Sequence, residues 1–570
     1  MRLVSLFLGV GISVIASLAY AGWSNNPVQI STSGSIPLVE GCNDSAHGTF
    51  VAWQDGALLR VQHLLPSGDP DPAWPAAGAI ACNVAADRTD LALLPDGLGG
   101  LYVSWIETSI AEPQALYLTR LDESGQTAPG WPARGRGFGP ASFPTLLADD
   151  AHGLFMAWTG QSTAPPAAVS LLMIHLGPDN GESSGWTGGA HAVRPSDPAG
   201  SVDLMPALAP DGSGGAHVAW VRISPNEALV PSAACLLRLS PDGQSANGWP
   251  EMGLAFTPFA WDFSSDPSRF VIDVATDGHG GAFLLVGEPL PQTYPDLPRV
   301  DVRLRRLTSD GDPAPGWTEE GRLIQSSLDV LSPHAVPEVL YNGLDDAVVA
   351  IPSYYSEGYT EMVYRRNPDT GSPVVIGLAT PIAGRELVSN DQGGFFAATF
   401  NPVGPYSNWA PYAHIRLAQF AAPVGWQDFW EVYTNPVLDI YGDIGLAKTG
   451  DGGAVLFWSQ KYDRIGLFAR RFGPQGETLD AGTSNATFGI QSVRFQPGSG
   501  VMVRFSSATG GLARLGLFDV TGRRMAAVDA SLSAGGEVAI PGTGGLRTGL
   551  YFVRLTAGNA ASNARITVLR

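Results

Sequence analysis

PDGLGGLYVSW at residues 95–105 returns as PDGSGGAHVAW at residues 210–220, with the same glycines and the same closing tryptophan. The glycines permit the positive-φ backbone of a tight hairpin, the aspartate can bond back to the turn's own amides, and the apolar alternation that follows reads as a half-buried strand. Degraded copies run along most of the chain: AHGTFVAW ending at Trp53, DAHGLFMAW at Trp158, DGHGGAFLLV at Val286, DDAVVAI at Ile351, DQGGFFAATF at Phe400 and DGGAVLFW at Trp458, eight with the opening pair. A second phrase trails each clear copy, as AWP at Trp74, GWP at Trp131, GWT at Trp186, GWP at Trp249, GWT at Trp317 and GWQ at Trp426. Between the two lies an alternating strand such as ALYLTRLDESG or CLLRLSPDG.

One repeat therefore reads as four short strands, with a turn at Asp-Gly-x-Gly-Gly and another before Gly-Trp. A single four-stranded sheet cannot bury both faces, but several packed radially can, which predicts an all-β chain built as a β-propeller of about eight blades. The recurring tryptophans are read as the packing layer between blades. Gly22-Trp23 and SNNPVQIS match the opening of a fourth strand with no blade before them, while the eighth copy lacks a Gly-Trp strand after GLFARRFGPQGE. The N-terminal strand is thus expected to complete the last blade and remove an open sheet edge. A seven-bladed ring with one irregular insertion stays open, because the sixth copy near Asp345 is weak.

Composition agrees. Gly 70 and Pro 45 make up about a fifth of 570 residues, and a 44% hydrophobic fraction leaves ample core, the mixture of short strands and tight turns. Lys+Arg 33 against Asp+Glu 53 leaves a net charge of −20, which disfavours binding to nucleic acid and to anionic membrane surfaces.

The first residues read as an export signal over 1–21: Met1-Arg2, an apolar run from Leu3 to Leu18, then Ala19-Tyr20-Ala21 as the cleavage pattern, so that the mature chain begins at Gly22. An uncleaved anchor is the alternative. Of three cysteines, Cys42 and Cys82 flank the first repeat as a candidate disulfide or as free thiols, and Cys235 reads as a small buried hydrophobe. The domain reading is 1–21 signal, 22–481 propeller, 482–570 a C-terminal module.

That module contains about seven short alternating strands and reads on its own as an antiparallel sandwich. Its runs LFDVTGRR and LRTGLYFVRLTAG, with a final strand ending at Leu569-Arg570, resemble the C-terminal sorting domain of type IX secretion cargo, itself similar to the FlgD Ig-like domain. The resemblance rests on Asp519, Val520, Gly522, Arg523, Gly549, Tyr551, Phe552 and Arg554. It departs at the start, where Gln496-Pro497 stands in place of the family's Asn-Pro. It implies export across an outer membrane with the secretion machinery as partner, ending secreted or on the outer cell surface of a double-membraned bacterium. An Ig-like spacer or adhesive module is the alternative.

Catalytic motifs are scarce. Gly181 to Gly185 matches G-x-S-x-G but falls in the turn before Trp186, without the strand-to-helix setting of a nucleophile elbow. His47, His152 and His279 recur at one hairpin position and read as turn residues. No cofactor is expected; the acidic turns SGDPDP and ADRTD are weak candidates for structural calcium.

The sharper pointer is a contrast between loops. First–second and third–fourth turns are short and repetitive, whereas second–third and inter-blade connections are long and differ in every copy, where recognition usually sits on a rigid scaffold. Trp261, Asp262, Tyr355, Tyr359, Tyr406, Trp409 and Tyr412 lie in these stretches and suit stacking on sugar faces and bonding to hydroxyls. The function expected is a secreted, non-catalytic, monomeric binder of an extracellular polymer, glycan or protein. The alternative is a propeller hydrolase or lyase with carboxylates at the channel mouth, which requires two acids converging.

Overall fold

Each copy of the aspartate-turn phrase forms the first hairpin of an antiparallel, four-stranded meander in the computed structural model of the chain. The structure describes residues 27–568 apart from segments between strands, the longest being 162–168, 224–231, 260–271, 290–298, 330–337, 402–412 and 474–488; between 351 and 443 the described side chains are Val388, Phe396 and Ala398. Strand is the sole regular structure among the described residues. Asn25–Leu479 form one compact unit and the strands after Asp480 belong to another.

In the first unit the leading sheet runs Val39–Asn43, Thr49–Asp55, Leu58–Leu64, Ala79–Cys82, each strand paired with the next. Arg136–Ala148 serves two sheets: its first part pairs with Ala115–Leu121 and closes one meander, and the remainder pairs with Leu154–Gln161 and opens the next. The final meander, Ile440–Lys448, Ala454–Gln460 and Gly466–Phe472, takes Val28–Ser31 as its outer strand, with Val28 opposite Ala469 and Ser31 opposite Leu467. The first strand of each sheet lies against the first strand of the following one, and Ile440–Lys448 lies against Val39–Asn43.

The repeated phrase is explained by what its residues touch. In DGLGG, Gly97 and Gly99 hold φ of 69° and 92°, and a side chain on Gly100 would run into the Leu121 carbonyl. The copies ending at Trp53 and Trp158 keep only that last glycine: Ser45 and His152 take left-handed positions at φ 64° and 66°, while Gly48 and Gly153 still face the Leu64 and Leu176 carbonyls. The aspartate then clamps the turn. Asp96 Oδ1 accepts from the amides of Leu98 at 2.7 Å and Gly100 at 2.9 Å, and Asp211 and Asp277 repeat the arrangement.

The same carboxylates hold a basic side chain from the third strand. Arg120 meets Asp96 at 2.7 Å, His175 meets Asp149 at 2.7 Å, Arg238 meets Asp211 at 2.9 Å and Arg306 meets Asp277 at 3.1 Å. That side chain reaches on to the next sheet: Arg120 donates to the Pro178 carbonyl at 3.1 Å and Arg238 to that of Ser309 at 3.0 Å. The Gly-Trp tryptophans reach the same row of carbonyls, Trp131 to Pro178 at 3.0 Å, Trp186 to Pro241 at 2.8 Å and Trp249 to Ser309 at 2.9 Å. Arg471 in the last meander donates at 2.8 Å to Pro66, the corresponding carbonyl of the leading sheet.

The second-strand tryptophans, Trp53, Trp105, Trp158, Trp220 and Trp458, are each at most 1% exposed, in agreement with a packing layer. Gly78 and Gly253, just after the Gly-Trp phrase, leave room for Trp53 and Trp220, whose rings a Cβ would meet. Cys42 and Cys82 are free. They sit on the first and fourth strands of one sheet, roughly 14 Å apart at normal strand spacing, beyond the reach of a disulfide. Cys235 is buried as expected.

His217, fully buried on the second strand Ala216–Ile223, faces the Gly280 carbonyl of the next sheet at 3.2 Å through Nε2. Burial pushes its pKa down to about 4, although the Gly280 bond and the nearby Asp211 and Asp277 oppose the shift. The unfolded chain therefore takes up a proton below about pH 6.5 that the fold refuses, and stability falls between about pH 6.5 and 4 by roughly 3 kcal/mol. Chemical-denaturation midpoints should show this slope in the native protein and a flatter one in His217→Gln; parallel curves for the two would refute it.

After Asp480, Gly489–Gln496, Gly500–Ser506 and Gly536–Ile540 form one sheet, and Arg524–Leu532, Gly511–Asp519, Gly549–Ala557 and Ala560–Val568 form a second. Val501, Val503 and Ile540 of the first meet Leu515, Leu517, Val553 and Leu555 of the second in a shared core. The alternating inward positions of these seven strands are those the sequence pattern predicts.

Candidate functional site

The meanders of the first unit have two chemically different ends. At the aspartate-turn end Asp44, Asp96, Asp149, Asp211 and Asp277 are engaged by backbone amides and by an arginine or histidine. Burial alone would raise the Asp211 pKa, but Ser213, Arg238 and Gly215 together hold it below the usual carboxylate range. Asp44 is likewise held low against burial by His63, Ala46 and Gly48. Groups fixed in this way build the scaffold and present little to a ligand. His152 bonds the Asp96 carbonyl at 3.2 Å and is a turn residue, as its repetition implies.

The other end carries the second–third turns, where the sequence differs from copy to copy. Trp261, Asp262, Tyr406, Trp409 and Tyr412 lie outside the described residues. Tyr355 closes strand Ala347–Tyr355 opposite Gly358, and Tyr359 pairs with Tyr354 in strand Gly358–Arg366. Most of the stretch read as a long loop thus belongs to two paired strands, because aromatic and β-branched residues favour a pleated ladder over an irregular loop. QDFWEVYTNPVLDIYGD is corrected in the same way: most of it belongs to strands Gly425–Asn435 and Ile440–Lys448. The side chains of all seven aromatic and acidic candidates lie outside the described residues.

Carboxylates at this end are paired with arginine. Asp55 meets Arg60 at 2.9 Å, Glu107 meets Arg134 at 2.6 Å, and Glu288 meets both Arg303 and Arg305 at 2.8 Å. Asp203 bonds Trp220 Nε1 at 2.8 Å and Arg222 at 3.4 Å. Each of these carboxylates is matched by a cation or donor, and Glu288 also stands directly opposite Asp301 across strands Ala282–Pro289 and Arg299–Leu307.

A cleft of about 520 Å³ opens beside the Asp55–Arg60 pair, lined by Gln29, Ser31, Thr32 and Ser33 from the N-terminal strand and its exit and by Ala76 and Ala77. Gln29 donates to the Ile465 carbonyl at 2.8 Å, and Arg60 donates to that of Ala77 at 3.1 Å. Hydroxyls, an amide and one ion pair suit hydrogen bonding to a hydroxylated ligand. Sequence reasoning missed this cleft because its walls come from two separate elements, the N-terminal strand and the leading sheet. It also missed the latching basic residues, although VQHL, LTRL, MIHL, LLRL and LRRL all place an arginine or histidine one residue before the third strand's end.

The G-x-S-x-G match is a turn: the Ser183 amide bonds the His175 carbonyl at 3.0 Å, and Trp186 bonds back to Ser183 at 3.0 Å. In the acidic turns, Asp71 accepts from His63 at 2.8 Å and Asp90 accepts from Thr89 at 2.7 Å. Among the described residues no group of three or more His, Cys, Asp or Glu is placed to hold a metal. Of the sorting-motif positions, Asp519 and Gly549 lie in strands, Gly522 is outside the described residues, and Arg523 and Arg554 are exposed. Tyr551 is a core residue whose hydroxyl donates to the Arg547 carbonyl at 3.0 Å.

These observations define an all-β chain of repeated antiparallel meanders followed by a two-sheet sandwich. No protein-family profile and no curated protein matches it. Among solved structures it is similar to a puromycin hydrolase mutant complexed with PGG, at 14% identity and TM-score 0.37 over 85% of this chain and 61% of that one. It is also similar to the polysaccharide lyase Uly1, at 10% identity and TM-score 0.39 over 69% of this chain and 91% of the lyase. A third is prolyl oligopeptidase B from Galerina marginata bound to a 25mer macrocyclization substrate, at 11% identity and TM-score 0.38 over 75% of this chain and 56% of that one. The chain thus spans under two thirds of the hydrolase and of the oligopeptidase.

Proposed function

We propose that this is an exported binding protein whose first unit is a β-propeller of about eight blades, closed by its N-terminal strand, and recognises an extracellular polymer, glycan or protein. The C-terminal sandwich is its Ig-like sorting domain of the type IX kind. Closure is supported by the pairing of Val28–Ser31 with Gly466–Phe472, and by Arg471 making to Pro66 the contact that Arg120 and Arg238 make between consecutive sheets. The export reading rests on the Ala19-Tyr20-Ala21 signal and on the resemblance carried by Asp519, Arg523, Gly549 and Tyr551.

The observation that carries the binding reading is the chemical asymmetry of the ends: one is closed off by repeated carboxylate, cation and tryptophan latches, which leaves the variable end for recognition. The test uses protein recovered outside the cell, expected to start at Gly22 and to lack the region after about residue 481. In a panel of glycans and extracellular polymers, Trp261→Ala with Trp409→Ala should weaken binding about tenfold or more while the unfolding curve stays within about 0.5 kcal/mol of native. Turnover of a panel member, abolished by substituting an acid of the variable end, would favour the hydrolase or lyase reading instead. Recovery of an intact N-terminus in the inner membrane would exclude export.

A further inference from the structure

Gly516 lies in the middle of strand Gly511–Asp519, where a glycine weakens a sheet unless something needs its space. A Cβ there would come within 2.8 Å of Phe518 Cε2, so the Phe518 ring folds back over the glycine. This is the face turned from the core, because Leu515, Leu517, Val553 and Leu555 point inward and side chains alternate along a strand. On that face Phe518 stands between Phe552 and Arg524, and Arg554 stands beside Gly516. Phe552 is 41% exposed, and Arg514, Arg524 and Arg554 are exposed around it. Arg514, two residues from Gly516, is opposite Thr556 and Asp529.

The charge of the chain is divided in the same sense. Residues 480–570 hold nine arginines, no lysine and only Asp480, Asp519, Asp529 and Glu537 as acids, a net charge of +5, whereas residues 1–479 carry −25. Arginine differs from lysine in presenting a planar fork that pairs with a carboxylate through two parallel bonds and stacks beside a ring. Exposed rings set among such forks match a ligand with apolar ring faces and carboxylates along its edge. The guanidinium-bearing positions Arg514, Arg554 and Arg524 are roughly 8–14 Å apart at ordinary sheet spacings, which suits a repeating anion.

We propose that this outer face of the sandwich binds an anionic polysaccharide of the uronic-acid class, with Phe518 and Phe552 against the sugar faces and Arg514, Arg524 and Arg554 on the carboxylates. Polysaccharide is favoured over single-stranded nucleic acid, which uses similar platforms, by the export reading, on which the choice of ligand rests: until the sandwich is removed, that route exposes it to the polysaccharide of the cell envelope. The binding experiment itself needs no export. The full chain is purified and its retention on polygalacturonate is compared with that on dextran, poly-L-glutamate and a thymidine oligonucleotide. Polygalacturonate should bind in a salt-sensitive manner, dextran should not, Phe552→Ala should weaken binding about tenfold, and Arg514→Gln with Arg554→Gln at least as much. Phe552→Tyr should retain it, and Trp261→Ala with Trp409→Ala, on the other unit, should leave it unchanged. Affinity unaltered in the Phe552 and arginine variants, equal retention on poly-L-glutamate, or tighter binding of the oligonucleotide would each overturn the assignment.

Discussion

Trp220→Ala should destabilise the first unit by about 3–5 kcal/mol, the range for truncating a large buried aromatic to alanine. The indole is 0% exposed, its ring fills the space left by Gly253, and its Nε1 donates to Asp203 at 2.8 Å. Removal therefore opens a cavity between sheets and takes one donor from a buried carboxylate. Trp105→Ala should fall in the same range, its indole being equally buried and stacked on Tyr117 at 5.7 Å.

A finer comparison separates packing from hydrogen bonding. Trp53 and Trp158 are as buried as Trp220, but their Nε1 atoms have no hydrogen-bond partner. Trp53→Phe should consequently be the milder change and Trp220→Phe the harsher, by about 1 kcal/mol or more, since only the latter strands part of a polar group. Urea midpoints of the four variants provide the measurement. Equal losses for the two phenylalanine variants would show that the Asp203 bond adds nothing.

Deleting residues 23–31 should have the other large effect. It removes the outer strand of the last meander and leaves Gly466–Phe472 as an open edge, together with the Gln29 to Ile465 bond at 2.8 Å. At about 1 kcal/mol for each lost hydrogen bond the destabilisation should reach roughly 3 kcal/mol, and the unpaired edge should promote association. Light scattering and thermal unfolding of the deletion against the native protein report both. Arg471→Ala is the companion variant: it keeps the strand and removes the bond to Pro66, so it should lower stability without inducing association. A deletion that melts like native protein and stays monomeric would sink closure by this strand.

The linear text carried much of the architecture because the repeat is short-range chemistry. Asp96, Gly97, Gly99 and Gly100 form a turn from their own atoms and one neighbouring carbonyl, so the hairpin could be read wherever the phrase recurred. Burial of Trp53, Trp105, Trp158, Trp220 and Trp458 followed from the alternation of the strand that holds them. The strand at Val28–Ser31 was legible for the same reason, since it repeats the wording of a fourth strand. The C-terminal strands were legible from alternation as well.

Only the tertiary structure decided what the repeated residues do to one another across sheets. Arg120, His175 and Arg238 look in the sequence like ordinary polar positions, yet each bridges its own turn and the next sheet, because packing of neighbouring sheets brings a third strand beside a turn some sixty residues away. The cleft beside Asp55 and Arg60 joins residues that are near only once Val28–Ser31 has crossed to Gly466–Phe472. The Tyr355 and Tyr359 stretch was read as a loop because its aromatics and carboxylates suit either state, and pairing with a neighbouring strand, which no single stretch encodes, settled most of it as two paired strands. Local turn and strand chemistry was thus fixed by the order of residues, whereas the contacts between sheets depended on separations that chain order does not contain.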